Sequence, residues 1–284
     1  MAARQWVIVT GASTGIGRAC ALRLAARGTH VLAGVRKPAD GERLVEAADG
    51  HLTPLIVDVA HDDSIAAAAV EIEKHVGDDA LVGLVNNAGI AVGGLQETMP
   101  RAQWQRQFDV NVLGVTEMTR TVLPHLLASR GRVVNISSAG GRVASPFLGP
   151  YHASKFALEA ITDGLRMELR PFGVWAACVE PGAVKTEIWG KGNALIRELS
   201  ETLPPETLAR YEAGLASVEA FTRSAAQRGV APDAVAKKVE HALFASRPKT
   251  RYLVGTDAHI MVFMKWLLPD RWFEAAAAAL VSRG

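Results

Sequence analysis

Tyr151 and Lys155 stand four residues apart in "SPFLGPYHASKFALEAI", where an alanine-rich apolar run follows Gly149 and Pro150. Residues at that spacing share a helix face, so a phenol and an ammonium point into the same space. A free tyrosine has a pKa of roughly 10 and is a poor base at neutral pH. A neighbouring cation favours the phenolate, and each tenfold gain in acidity corresponds to about 1.4 kcal/mol. Bringing the phenol near the working pH is what general acid–base catalysis requires. Leu215 follows Tyr211 and Thr256 follows Tyr252 at the same spacing, so of the three tyrosines only Tyr151 has the lysine. Ser137 and Ser138 close the apolar run "RVVNISS". A serine at the carboxyl end of a strand could hold a substrate oxygen, and period-two alternation lets one of the two face a site. Asn111 interrupts the otherwise apolar "VNVLGV"; by itself it reads as a hydrogen-bonded core asparagine.

The elements that would position these groups follow from the apolar pattern. Short runs at residues 6–10, 30–35, 55–59, 81–86, 132–136, 174–180 and 252–254 are rich in Val, Ile and Leu and do not alternate with polar residues. Such strands are covered on both faces, as in a parallel sheet between helices. Helical patterns occupy residues 15–27, 64–76, 101–129, 152–170 and 232–245. No internal repeat or low-complexity linker divides the chain. The expected fold is a single α/β domain over residues 1–284, a doubly wound, mostly parallel seven-stranded sheet. Residues 184–230 are too long for an ordinary connection and read as a substrate-covering insertion, and residues 255–284 as a C-terminal extension.

"VIVTGASTGIGRA" follows the first strand and enters the first helix. Gly11 lets the chain turn sharply, Gly15 lets backbone approach a pyrophosphate, and Gly17 lets helix and sheet pack. The helix N-terminus then offers unpaired N–H groups to phosphates. Gly11 and Gly15 are four apart rather than two. This T-G-x-x-x-G-I-G pattern resembles the short-chain dehydrogenase/reductase family. "DV" at Asp58 and Val59, "NNAG" ending at Asn87, Ala88 and Gly89, Asn111, Ser138, YxxxK at Tyr151 and Lys155, and Pro181-Gly182 follow in family order. The resemblance spans residues 7 to about 186 and leans toward the hydroxysteroid and retinol dehydrogenase branch.

The resemblance implies a Rossmann fold and a nicotinamide cofactor. Gly11, Ser13, Thr14, Gly15, Ile16 and Gly17 would cradle its phosphates, and Asp58 and Val59 would meet the adenine. Asn87, Ala88 and Gly89 would form a cofactor-side turn. Pro181, Gly182, Val184 and Thr186 would cover the nicotinamide end. Tyr151 would be the acid/base, with Lys155 lowering its pKa and binding the nicotinamide ribose. Ser138 is the family's choice over Ser137 for steadying the substrate oxygen. Asn111 would interrupt its helix and support a water linked to the lysine. Together these imply hydride transfer between the cofactor and a secondary alcohol or its carbonyl.

The second strand, "HVLAGVRKPADGE", lacks the acid that would bond a ribose 2′-hydroxyl and ends in Arg36 and Lys37. Two cations suit a 2′-phosphate, so NADP(H) is favoured and NAD(H) stays open. The expected substrate lining is Gly93 to Leu95, Arg142 to Phe147, and the insertion from Glu187 with Ile188, Trp189 and Leu195. It is mainly apolar and suits a hydrophobic alcohol or carbonyl. An NAD-linked hydroxyacid dehydrogenase would need a cationic pocket resting on Arg142. A non-catalytic NADP-binding regulator is opposed by the complete set Asn111, Ser138, Tyr151 and Lys155.

Composition excludes other classes. Thirty-one Lys plus Arg nearly balance 29 Asp plus Glu, which offers nothing to nucleic acid. The two cysteines, Cys20 and Cys178, lie in apolar segments, which fits a reducing, cytoplasmic setting. The eight histidines form no metal pattern. No transmembrane segment is expected. "HIMVFMKWLLPDRWF" is broken by Lys265 and Pro269, leaving a membrane surface, a subunit interface or the chain's own core as its partner. Apolar residues on more than one face of the helices at 101–129 and 152–170 suggest a homodimer or homotetramer.

Overall fold

The computed structural model describes residues 4–48, 50–201 and 203–282. Its sheet contains β1 (Gln5–Val9), β2 (His30–Val35), β3 (Leu52–Ile56), β4 (Ala80–Asn86), β5 (Arg132–Ile136), β6 (Trp175–Pro181) and β7 (Arg251–Val254). All neighbours are parallel, in the order β3-β2-β1-β4-β5-β6-β7. The chain builds outward from β1 to β3, then crosses over and builds the other way from β4. That reversal opens a crevice at the carboxyl ends of β1 and β4, where ligands bind in such sheets.

Helices cover both faces because the strands are apolar on both. Val7 and Val9 face α1 (Gly15–Ala26), α2 (Pro38–Glu46) and α9 (Pro232–Phe244); Trp6 and Ile8 face α3 (Asp62–Val76) and α5 (Gly114–Ser129). The remaining helices are α4 (Arg101–Phe108), α6 (Gly149–Leu169), α7 (Ile188–Glu201), α8 (Pro205–Arg228), α10 (Thr256–Leu267) and α11 (Asp270–Ser282). The expected long helix at 101–129 is interrupted by a π-helical turn over Asp109–Leu113. α2, with Pro38 at its start, was not legible as a helix.

The third strand lies earlier than the apolar run suggests. Leu52 pairs with Val31 and the ladder ends at Ile56, while Val57, Asp58 and Val59 turn into the crevice. Pro54 is tolerated because β3 is a sheet edge, where a missing N–H need not serve a second neighbour. Residues 184–230 form α7 and α8. The C-terminal segment forms α10 and α11, but Ile260, Phe263, Trp266, Leu267 and Trp272 face outward, so the chain's own core is not their partner. Among the described residues, no helix is long and apolar enough to cross a membrane.

Candidate active site

The crevice begins at the turn after β1. Gly11 has φ +63°, and a Cβ there would lie 2.7 Å from Ala88 Cα; Gly15 has φ +56°. Both are left-handed values that glycine adopts without strain. A Cβ on Gly17 would lie 2.2 Å from Gly11 O and 2.3 Å from Asn87 Nδ2. The third glycine therefore lets the helix approach this turn as well as the sheet. Thr10 Oγ1 accepts the N–H groups of Asn87 and Ala88, both at 3.0 Å. Asn87 Nδ2 donates to the carbonyls of Thr10 and Gly11, both at 2.9 Å. These bonds staple the ends of β1 and β4 together. At the start of α1 the side chain of Thr14 makes no cap hydrogen bond, and no acid occupies the first turn. The opening N–H groups stay available to an anion.

One cavity runs from this cradle to Tyr151. Gly11, Ser13, Thr14, Gly15, Ile16, Arg36, Asp58, Val59, Asn87, Ala88 and Gly89 line one part, and Ser138, Tyr151, Lys155, Pro181, Gly182, Val184 and Thr186 the other. Two expected cofactor residues are not on its wall. Gly17 packs beneath the turn, and Lys37 stands outside as the residue preceding α2. Arg36 and Lys37 are exposed and, among the described residues, neither forms an ion pair. Asp40, the first acid after β2, is bound to Arg43 on its own helix. Asp58 accepts the N–H of Ala60 at 3.1 Å, which holds the turn beside Val59.

The opposite end is built by α6 and the segment after β5. Ser138 begins a short 3₁₀ turn over Ala139–Gly141, and its Oγ accepts the N–H of Gly140 at 3.0 Å. The hydroxyl can donate to Pro181 O, 3.3 Å away. The Ser138 hydroxyl is the polar neighbour that favours ionisation of the Tyr151 phenol. Ser137 lines the cavity too, so alternation does not separate the serines, because the strand ends at Ile136 and the chain bends. Lys155 Nζ donates to Ile136 O at 2.8 Å and lies 5.9 Å from the centre of the Tyr151 ring.

Burial controls both titrations. It pulls the Lys155 ammonium down to about 8, opposed by Cys178 and Glu159. It pushes the Tyr151 phenol up, opposed by the neighbouring Ser138 hydroxyl. A phenol already lowered by Lys155 is therefore not what the cavity holds by itself. Removing a phenolate from water outweighs the neighbouring groups.

Asn111 sits in the π-helical turn, which widens the helix and turns the side chain inward. Its Oδ1 accepts the N–H of Ile90 at 2.9 Å, while Nδ2 donates to Ile90 O at 3.0 Å and to Ser154 Oγ at 3.2 Å. Its bonds thus fix the segment after β4 and the helix carrying Tyr151.

The expected substrate lining is largely displaced. Gly93, Gly94 and Leu95 are buried, with Gly94 N–H bonded to Phe147 O at 2.8 Å. Arg142 does not face the cavity; it pairs with the fully buried Glu180 at 3.5 Å. Phe147 packs its ring edge-on to Tyr211 of α8, with centroids 6.4 Å apart. Of the expected lining, Glu187 and Ile188 do reach the cavity wall, which they share with Ile90, Ala91, Val110 and Leu148. The side chains of Trp189 and Leu195 lie outside the described residues.

Several site-building residues are not evident from motif spacing. Thr10 is foreshadowed only as a hydroxyl at a strand end before glycine. Ser154, buried between Asn111 and the Tyr151 carbonyl (2.7 Å), is a polar residue inside an apolar helix. Asp257 accepts the N–H of Ala183 at 2.7 Å and so fixes the Pro181–Gly182 corner from α10; no local signal links them. Among the described residues, Cys20 and Cys178 are free and buried, and no group of His, Cys, Asp and Glu could hold a metal.

Comparison with known proteins places these features in context. A family profile described as short chain dehydrogenase matches residues 5–195. The NADPH-dependent 3-dehydrocapnine reductase of Ornithobacterium rhinotracheale is 35% identical, covering 95% of each chain. Human retinol dehydrogenase 16 is 38% identical over 95% of this chain and 87% of the relative. A short-chain dehydrogenase/reductase from Burkholderia phymatum, solved in complex with NAD, superposes with a TM-score of 0.78. It is 25% identical and covers 92% of each chain.

Proposed function

The chain belongs to the short-chain dehydrogenase family, in its retinol dehydrogenase-like branch, and from that premise we propose that it interconverts a hydrophobic secondary alcohol and its carbonyl with NADP(H). The family is one of oxidoreductases acting on CH–OH groups. One observation carries the finer reading: a single cavity has the glycine cradle at one end and Ser138, Tyr151 and Lys155 together at the other.

The cradle fits a dinucleotide, because side chains on Gly11 and Gly17 would overlap the turn and the first N–H groups of α1 lack a side-chain cap. Arg36 would grip a 2′-phosphate through its planar guanidinium, with Lys37 adding charge at the rim. Neither has an ion-pair partner among the described residues, and Asp40 is committed to Arg43; both favour NADP(H). The named cofactor of the 3-dehydrocapnine reductase agrees. When bound, the nicotinamide supplies or accepts the hydride.

The chain's own residues handle position and proton. Ser138, held by the Gly140 N–H, presents its hydroxyl to the substrate oxygen beside the phenol. Tyr151 gives a proton to a carbonyl oxygen or takes one from an alcohol. Lys155 lies in the same pocket, and its charge favours the phenolate when the proton has left. Asn111 keeps the Ile90 segment and α6 in register. The apolar wall at Ile90, Val110, Leu148 and Ile188 suits a hydrophobic substrate. A hydroxyacid is disfavoured, because the only arginine offered for its carboxylate, Arg142, is bound to Glu180. The chain works as one domain in which residues 184–230 cover the substrate. Phe156 and Met167 on α6 remain exposed and suit a two-fold contact between copies.

The test is parallel titration of NADPH and NADH, followed by turnover on bulky ketones with the tighter cofactor. Arg36→Ala should weaken NADPH about ten- to a hundredfold, the loss of charge-assisted hydrogen bonds, and NADH far less. Equal losses would reverse the cofactor assignment. Tyr151→Phe should abolish turnover with cofactor affinity nearly unchanged; retained turnover would reject its acid–base role.

A further inference from the structure

Behind the catalytic face of α6 lies a buried charge cluster that the proton chemistry above does not use. The Glu180 side chain on β6 has 0% exposure, and that of Glu159 on α6 has 9%. Arg251 on β7 reaches between them, its Nε 3.0 Å from Glu159 Oε2 and 3.2 Å from Glu180 Oε1. Nε carries one hydrogen, and it is donated to Glu159. Among the described residues, Glu180 Oε1 is left beside the guanidinium without a hydrogen bond, and Glu159 Oε1 and Ser137 Oγ are buried and unbonded as well. Glu180 Oε2 meets Arg142 Nη1 only at 3.5 Å, beyond ordinary hydrogen-bond length. A buried carboxylate is costly unless well hydrogen-bonded. Glu180 has charge partners, but no hydrogen bond at one oxygen and only a long one at the other.

Its neighbours belong to the site. Arg142 closes the turn that begins at Ser138. Pro181, the next residue, offers its carbonyl to the Ser138 hydroxyl. We propose that Glu180 is a positioning residue for the reaction, tying the Ser138 turn to the Pro181–Gly182 corner and β7, with a hold on Arg142 that tightens when Glu180 loses its proton.

The groups facing it are Glu159 from α6, Arg142 from the turn, Arg251 from β7 and Cys178 from its own strand; Asp163 on α6 shares Arg251 and pairs in turn with Arg166. Burial first, then Glu159, pushes the Glu180 carboxyl up to about 7, against Arg142 and Arg251. Below that range Glu180 is neutral and Arg142 loses a charged partner. Above it the ion pair forms and the Ser138 turn is held.

The effect on catalysis rests on the dehydrogenase reading, but the titrating carboxyl does not. Two readouts therefore separate them: pH-difference infrared spectra of the ligand-free protein, and the pH profile of kcat/KM. Glu180→Gln keeps the shape and removes the titration. It should delete the protonated-carboxyl band and the inflection near neutrality, and lower kcat/KM on the alkaline side about three- to tenfold, the loss of one long, part-exposed ion pair. Glu159→Gln should move the band's midpoint to lower pH, because it removes the repelling carboxylate. A band and profile unchanged in Glu180→Gln, or a midpoint raised in Glu159→Gln, would overturn the proposal. An E180Q-sensitive band in a wild-type protein without dehydrogenase activity would uphold the proton site and reject the catalytic reading instead.

Discussion

Substituting Gly17 by alanine tests the cradle directly. Its Cβ would lie 2.2 Å from Gly11 O and 2.3 Å from Asn87 Nδ2, against about 3.5 Å for a comfortable contact. Neither neighbour yields cheaply. Gly11 O belongs to the backbone, and Asn87 Nδ2 is held by two carbonyls at 2.9 Å. Relief requires α1 to withdraw by roughly 1 Å or Asn87 to release both bonds. Two hydrogen bonds at about 1 kcal/mol each, plus about 1–3 kcal/mol of overpacking, give about 3–5 kcal/mol. At about 2–4 °C per kcal/mol for a chain of this size, Tm should fall by roughly 6–20 °C. Cofactor affinity should fall too, because the α1 N–H groups move with the helix. Gly164→Ala is the control: nothing lies within 4 Å of its Cβ, so α6 should be unchanged or gain up to about 1 kcal/mol. The assay is a thermal melt of both variants with an NADPH titration of the folded fraction. A Gly17→Ala protein with wild-type Tm and wild-type affinity would refute the reasoning.

Other expected outcomes follow from single contacts. Gly214→Ala on α8 would place a Cβ 2.4 Å from Phe147 Cζ, displacing the ring from Tyr211; KM for a bulky ketone should change with cofactor affinity constant, and steady-state kinetics with cofactor titration would expose the opposite result. Burial lowers the Lys155 ammonium from 10.5 to about 8 in the folded chain, so between those values the unfolded chain binds more protons and stability rises with pH. The penalty is complete below about pH 8 and fades toward 10.5. Lys155→Met should therefore stabilise the ligand-free protein near neutral pH, with a gain that shrinks as pH rises; urea melts across that range would reject this if the gain grew.

The parallel α/β fold, and the residues that the structure gathers in one cavity, were legible because they rest on local rules. Unalternating Val-rich runs announce strands covered on both faces, the glycine spacing announces a turn that must approach something closely, and tyrosine with lysine four residues on announces a shared helix face. β3 was misplaced because its register depends on pairing with β2, and its proline is acceptable only at an edge. The Asn111 interruption was read from family resemblance, since a π-helical turn has no strong local signature. The substrate wall was read as loop segments, yet Gly93 to Leu95 proved to be packing and Arg142 an ion-pair partner.

Thus the sequence by itself determined which groups could exchange a proton and hold phosphates, since residue type and spacing along one element suffice for that. Only the tertiary structure decided their state and support. Burial raises Tyr151 and lowers Lys155, Asp257 on α10 fixes a corner some seventy residues earlier in the chain, and Glu180 is enclosed between Arg142 and Arg251. Desolvation and charge pairing depend on what surrounds a group in space, and that is set by contacts far apart in sequence.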